Sequence, residues 1–247
     1  MSGHSKWANI KRKKEANDKV KGSVFSKLSR LITLAVVEGG GMADPDLNVK
    51  LRLMVEKAKA ANMPKENIKR AIEKASGPNK QLIKEIIYEA FAPLQVSLMI
   101  LATSDNLNRT FSEVRNLLEM NGGKMGNQGS VAYLFQKCGL VIFKKSDVSE
   151  ENIFNFSDRI GALDIDQNSE YFFVYFPFEK LGKIKEIAGE LKYESAEIDY
   201  KPLTTVAINE ESQVQRIINL IDSLEALDDV HKVFANFDFN ENTITKD

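Results

Sequence analysis

Near the start of the chain, Gly3-His4-Ser5-Lys6-Trp7-Ala8-Asn9-Ile10-Lys11-Arg12-Lys13-Lys14 brings together five cations, no acid, the single tryptophan and one of two histidines. An indole face among ammonium and guanidinium groups can stack on a base while the cations hold phosphates, which is how polynucleotide strands are bound. A solvated terminus with Trp7 packed locally would use the same residues. Lys19 and Lys21 extend the charge, and Lys27, Arg30, Lys65, Lys69 and Arg70 follow on predicted helices. With His4, Lys6, Trp7, Lys11, Arg12, Lys13 and Lys14, these form the candidate nucleic-acid-binding set.

Other chemistry is sparse. The two histidines, His4 and His231, lie in different predicted domains, and the lone Cys138 supplies neither a disulfide nor a credible metal set, so no metal site, cofactor or catalytic residue is expected. The sequence has no nucleophile elbow, phosphate loop or dinucleotide fingerprint, and a small-molecule ligand is not expected. Cys138, before the apolar run Leu140-Val141-Ile142-Phe143, reads as a buried small hydrophobe. Glu225, Asp228 and Asp229 read as a solvated helix end. Asp105, Asn106, Asn108, Arg109 and Thr110 sit at a predicted helix start, where Asp and Asn are first of all caps.

The 247 residues carry a net charge of −1, but residues 1–80 hold 18 Lys/Arg against 8 Asp/Glu, and the remainder reverses the sign. A basic module on an acidic body suits a chain that meets polyanion at one end. No apolar run is long enough to span a bilayer, and the basic N-terminus lacks the apolar core of a secretory signal, so a cytoplasmic location without membrane contact is expected.

These residues must be positioned by elements that the periodicity predicts. Ser5 can cap a helix to about Lys21. Val24, Phe25, Leu28, Leu31, Ile32, Ala35 and Val36 form the stripe of a second helix ending at Gly39-Gly40-Gly41, read as a C-cap and hinge. A third helix buries Leu47, Met54, Ala58 and Ala61. Pro64 opens a fourth, with Ile68, Ala71, Ile72 and Ala75 inward and Gly77-Pro78 as its stop. Beyond residue 80 the period becomes strand-like: strands at 86–91 and 96–101, a helix from Asp105 to Met120, a Gly-rich loop over 121–130 and a strand Val131–Phe135. Residues 138–200 read as strand, helix, strand, strand, helix, strand, the order of a ferredoxin-like sandwich. A strand at 204–208, a helix at 210–224 and a strand at 230–237 complete a second such unit around it. The expected fold class is α+β multidomain, an N-terminal three-helix domain plus two ferredoxin-like α/β domains, one inserted in the other: a basic helical domain over 1–79, a discontinuous α/β domain over 80–136 and 203–247, and an inserted ferredoxin-like domain over 137–202.

Gly3 to Lys11, Gly39-Gly40-Gly41, Ala61-Asn62-Met63-Pro64-Lys65, Asn108-Arg109-Thr110, Gly129-Ser130-Val131-Ala132-Tyr133-Leu134-Phe135 and Leu227-Asp228-Asp229-Val230 occur in the same order as in the YebC/PmpR family, which the chain resembles over nearly its whole length. The resemblance implies a cytoplasmic three-domain protein acting in bacteria as a DNA-binding transcriptional regulator. Relatives, among them a mitochondrial translational activator, associate with ribosomes and relieve stalls at consecutive prolines. The chain departs from the family at Tyr88-Glu89-Ala90-Phe91-Ala92-Pro93, where two glycines are common, and at Lys11-Arg12-Lys13-Lys14, where a histidine is common. The expected function is a non-enzymatic nucleic-acid-binding regulator. Its partner is duplex DNA or, alternatively, ribosomal RNA or tRNA on the ribosome; a protein-interaction adaptor is a further alternative.

Overall fold

The computed structural model describes residues 21–76 and 83–239, with side chains from Val24 onward in the first segment. The predicted helix from Ser5 and the Gly77-Pro78 stop lie outside these residues. The first described helix, α1 (Lys21–Glu38), buries Leu28, Ile32, Ala35 and Val36 of the predicted stripe, with Val24, Phe25 and Leu31 half-buried and Leu34 buried in addition. It ends as expected: the amides of Gly39 and Gly41 donate to the carbonyls of Ala35 and Val36. Asn48 then caps α2 (Val49–Ala60) by accepting from the Leu51 amide at 3.0 Å. Its Nδ2 also donates to the carbonyls of Ala35 and Met42, fastening the turn to α1.

The helix α3 (Lys65–Ser76) follows Pro64, whose carbonyl accepts from Asn67 and Ile68. Thr33 Oγ1 donates to the Ala71 carbonyl at 2.9 Å, and Ala58, Ala71 and Ala75 let the helices approach closely. On α2 the prediction needs correction. Leu47 is 70 % exposed, and the buried residues are Leu51, Leu53, Val55 and Ala58. Leu51, Val55 and Ala58 join the helical core while Leu53 enters the core of the second sheet described below, so α2 buries two faces and shows no single clean stripe.

The first sheet contains β1 (Lys84–Phe91), β2 (Ser97–Ser104), β3 (Lys124–Met125) and β9 (Val230–Ala235) in the order β3-β1-β2-β9, every pairing antiparallel. Helices α4 (Leu107–Met120) and α7 (Glu211–Ala226) cover one face, packing Val114, Leu118, Val214, Ile217, Ile221 and Leu224 on Ala90, Leu98, Ile100 and Val233. Each such aliphatic side chain contributes about 1.5–3 kcal/mol when withdrawn from water.

Residues 135–202 form the second sheet, from β4 (Phe135–Lys144), β5 (Asp164–Gln167), β6 (Tyr171–Pro177) and β7 (Ser195–Pro202) in the order β5-β6-β4-β7. Numbered within this unit the order is 2-3-1-4, that of the predicted sandwich. Helix α5 (Glu150–Ile160), capped by Ser149, and the short α6 (Ile184–Ala188) lie on one face. Phe143 and Phe156 meet edge to face at 5.0 Å.

Three segments differ from prediction. Of the strand expected over Val131–Phe135 only Phe135 is extended, as the first residue of β4: Ala132–Leu134 form a 3-10 turn, because the Val131 and Ala132 amides donate to a side-chain carboxylate. The helix expected from Phe178 to Leu191 is a 3-10 segment over Phe178–Lys183 followed by α6. The strand at 204–208 shrinks to β8 (Val206–Ala207), paired in parallel with β10 (Phe237–Asp238). In the first sheet, β1 and β2 form a hairpin before α4, so its chain order is strand, strand, helix, strand, then helix and strand after residues 135–202.

Candidate nucleic-acid interface

His4, Lys6, Trp7, Lys11, Arg12, Lys13, Lys14 and Lys19 lie outside the described residues. Lys21 opens α1, its side chain undescribed. The remaining candidates separate into two groups. Lys65, Lys69 and Arg70 are exposed on α3, beside exposed Lys74. Lys69 pairs with Glu73 and Arg70 with Glu66, each at 3.7 Å and one helical turn away, with both partners more than 60 % exposed.

Lys27 and Arg30, on α1, face the first sheet. Lys27 donates to the Glu225 carbonyl and Arg30 pairs with Asp229. The Asp229 side chain is only 3 % exposed, which corrects its reading as a solvated helix end. Besides Arg30 it accepts from Arg109 Nη2 at 2.7 Å, Thr110 Oγ1 at 2.6 Å and Ser104 Oγ at 3.0 Å. Although burial opposes the charge, these hydrogen bonds and the Arg30 charge hold its pKa below the ordinary value. The motif residues Arg109, Thr110 and Asp229 thus meet one another and an arginine some 200 positions earlier. The Asx cap expected at the α4 start is present as well, with Asn106 accepting from the Arg109 amide.

A second charged junction joins α2, β7 and β9. Glu197 accepts from Lys57 Nζ at 2.8 Å and Lys232 Nζ at 3.0 Å, while Lys232 also reaches the fully buried Asp199 at 2.8 Å. Burial disfavours charge here, but the two lysines carry Glu197 well below its usual range, and the two carboxylates raise Lys232. Lys50 adds a tie from α2 to Glu85 of β1 at 3.2 Å. Between the junctions stands His231 of β9, where burial and the charges of Lys27, Lys57 and Arg30 push its pKa down to about 3 against the opposing pull of Asp229.

The Gly-rich loop is fastened by Glu89 of β1, a 7 % exposed residue whose carboxylate accepts from the amides of Gly129, Val131 and Ala132 at 2.5, 2.6 and 2.8 Å. Those bonds outweigh desolvation and lower its pKa. Gly129 has φ 85°, a conformation that an L side chain would strain, and a Cβ at Gly123 would stand 2.7 Å from the Phe91 carbonyl oxygen. Sequence reasoning found the loop through its glycines but missed Glu89, because one acid in a strand carries no sign of the amides it will meet.

Among the described residues no group of three His, Cys, Asp or Glu could hold a metal, and no helix is long and apolar enough to cross a membrane. Cys138 is buried as expected, its thiol pushed up to about 12 by burial and the nearby Asp199.

A basic helical unit docked by ion pairs onto two antiparallel sheet units defines a multidomain α+β protein with surface and interface charge as its principal chemistry. The chain belongs to the TACO1/YebC family: the family's N-terminal-domain model matches residues 5–78, and its second-and-third-domain model matches residues 83–237. A protein of Aquifex aeolicus named "probable transcriptional regulatory protein" is 43 % identical over 249 residues, covering 100 % of this chain and 99 % of the relative. One of the same name from Rubrobacter xylanophilus is 41 % identical, with the same coverage of each. The crystal structure of a conserved hypothetical protein from Aquifex aeolicus superposes with a TM-score of 0.84 at 41 % identity, covering 93 % of this chain and 95 % of that one.

Proposed function

We propose that this protein is a non-enzymatic, cytoplasmic nucleic-acid-binding regulator that needs no cofactor and holds phosphates with its N-terminal cations and the exposed face of α3. The observation that carries this reading is the division of charge within the helical unit. Lys27, Arg30, Lys50 and Lys57 are engaged with the acidic body, whereas Lys65, Lys69, Arg70 and Lys74 face solvent. The proposed three-domain division, with 137–202 inserted, belongs to the same reading and draws support from the two separate sheets.

The names of the relatives favour duplex DNA and transcription. A specific observation favours RNA on the ribosome as a second reading: the exposed face of α3 is Lys65, Glu66, Lys69, Arg70, Glu73 and Lys74, charged throughout and without the grouped base-reading amides of a recognition helix. If roughly six phosphates are contacted, affinity falls about a thousandfold between about 50 and 200 mM salt. A flat salt profile sinks the reading. Deleting residues 1–21 abolishes most activity of a nucleic-acid binder and spares an adaptor. Crosslinking followed by sequencing of the recovered nucleic acid, with co-sedimentation on ribosomes against promoter enrichment, decides between RNA and DNA.

A further inference from the structure

We propose that the loop from Gly126 to Tyr133 is a second contact site, built to take unpaired bases of single-stranded RNA. The inference rests on the nucleic-acid-binding reading and adds a surface on the opposite side of the sequence's charge division. From Met120 to Ser146 the chain has no acidic residue, although residues 81–247 carry 27 acids against 16 cations; Lys124 and Lys137 flank the loop in sequence, whereas Lys144 and Lys145 stand at the far end of β4. The loop thus places no acid of its own beside its exposed side chains, which favours the approach of a phosphate chain.

The groups displayed there suit bases. Tyr133 is 70 % exposed, unusual for an aromatic ring with a packed sheet beside it, and Asn127 and Gln128 are exposed at the loop tip. A phenol ring offers a stacking platform, and side-chain amides pair donor with acceptor on the edge of an unpaired base. Duplex edges are less accessible to a short loop, so the fit is to an open strand.

Rigidity is the second argument. Exposed connections between elements are commonly mobile. Here one carboxylate binds amides of the stretch that joins the displayed groups: Gly129 follows Gln128, and Ala132 precedes Tyr133. The third amide, of Val131, lies between them, and the Gly126 amide donates to the Glu89 carbonyl at 2.7 Å. Glu89 is therefore a positioning residue. It fixes the amide tip and the aromatic ring in one frame before a ligand arrives, which reduces the ordering cost of binding.

The test uses the full chain and a short, unstructured, fluorescently labelled RNA, with single-stranded DNA of the same sequence and duplex DNA as further probes. Tyr133→Ala and the double change Asn127→Ala with Gln128→Ala alter exposed side chains. Each is expected to weaken RNA binding by roughly tenfold, to leave duplex binding and the slope of affinity against salt unchanged, and Tyr133→Phe is expected to retain most of the affinity. Glu89→Gln is expected to weaken RNA binding and to speed hydrogen exchange at Gly129, Val131 and Ala132.

Undiminished RNA affinity in both surface variants overturns the proposal even if the wild-type chain binds RNA with a steep salt dependence. Equal losses on duplex DNA, or wild-type binding to single-stranded DNA as tight as to RNA, overturn the assignment to RNA bases. Failure of the wild-type chain to bind any of the probes overturns the underlying nucleic-acid reading along with this one.

Discussion

The cations of α1 and α2 and those of α3 are the same residue types on neighbouring helices, yet they meet different carboxylates. Arg30 finds Asp229, 3 % exposed and already bonded to Arg109, Thr110 and Ser104. Arg70 finds Glu66, 63 % exposed and on its own helix. The environment of the acid, more than the identity of the base, decides whether a pair is structural: a buried carboxylate deprived of its partners leaves an uncompensated charge, whereas exposed pairs one turn apart contribute little. The helical unit therefore uses one set of cations to dock and keeps the other in water.

The sharpest way to break this contrast is Asp229→Ala. It removes a buried charged acceptor that takes hydrogen bonds from Arg30, Arg109, Thr110 and Ser104, while Arg109 keeps Asp105 and Thr110 keeps the Asn106 carbonyl, so a loss of about 3–5 kcal/mol in urea unfolding is expected. An effect below about 1 kcal/mol would place Asp229 with the surface pairs. Lys232→Met comes next, at about 3 kcal/mol, because Glu197 keeps Lys57 but Asp199, fully buried, loses the Lys232 ammonium.

Acidification tests the docked side separately. His231 has a folded-state pKa near 3 against an ordinary 6.5, so the unfolded chain binds the proton more readily. Its contribution is fully present above pH 6.5 and declines as pH falls toward the folded value, with a slope approaching about 1.4 kcal/mol per pH unit. Asp229 and Glu197 have depressed values, so the stability they contribute is present above the ordinary carboxylate range and is lost only below about pH 4. Between about pH 4.5 and 6.5 the decline thus belongs to the histidine. His231→Leu should flatten unfolding free energy across that window, and an unchanged slope would show that the ring is solvated.

The same contrast explains what could be read before the fold was known. The α1 stripe, the order of strands and helices from 138 to 200, and the cap at Gly39-Gly40-Gly41 are local, set by spacing within a dozen residues. The Arg30–Asp229 pair is not, because its members are 199 positions apart and Asp229 sits in an acidic group at a helix end that resembles ordinary solvated surface. Val131–Phe135 was misleading for a related reason: its apolar pattern suits a strand, but the Glu89 carboxylate, more than 40 residues earlier, claims the amides a strand would need. Lys27 and Arg30 were legible as cations off the apolar stripe. Which acids would face them depends on how the helical unit seats against the sheet.

The smallest effect on stability should come from α3, and it carries the most information about function. Changing Lys69 and Arg70 together to Gln removes two exposed pairs at 3.7 Å, for a cost within about 0.5 kcal/mol. If both side chains contact phosphates, the slope of log affinity against log salt becomes shallower by about 0.9 per lost contact on duplex DNA and about 0.7 on a single strand. Measured on matched probes, the probe whose slope becomes shallower is the form of polyanion lying against α3. The same substitutions leave the slope untouched if α3 merely solubilises the helical unit, and in that event the contrast between docked and solvent-facing cations describes stability alone.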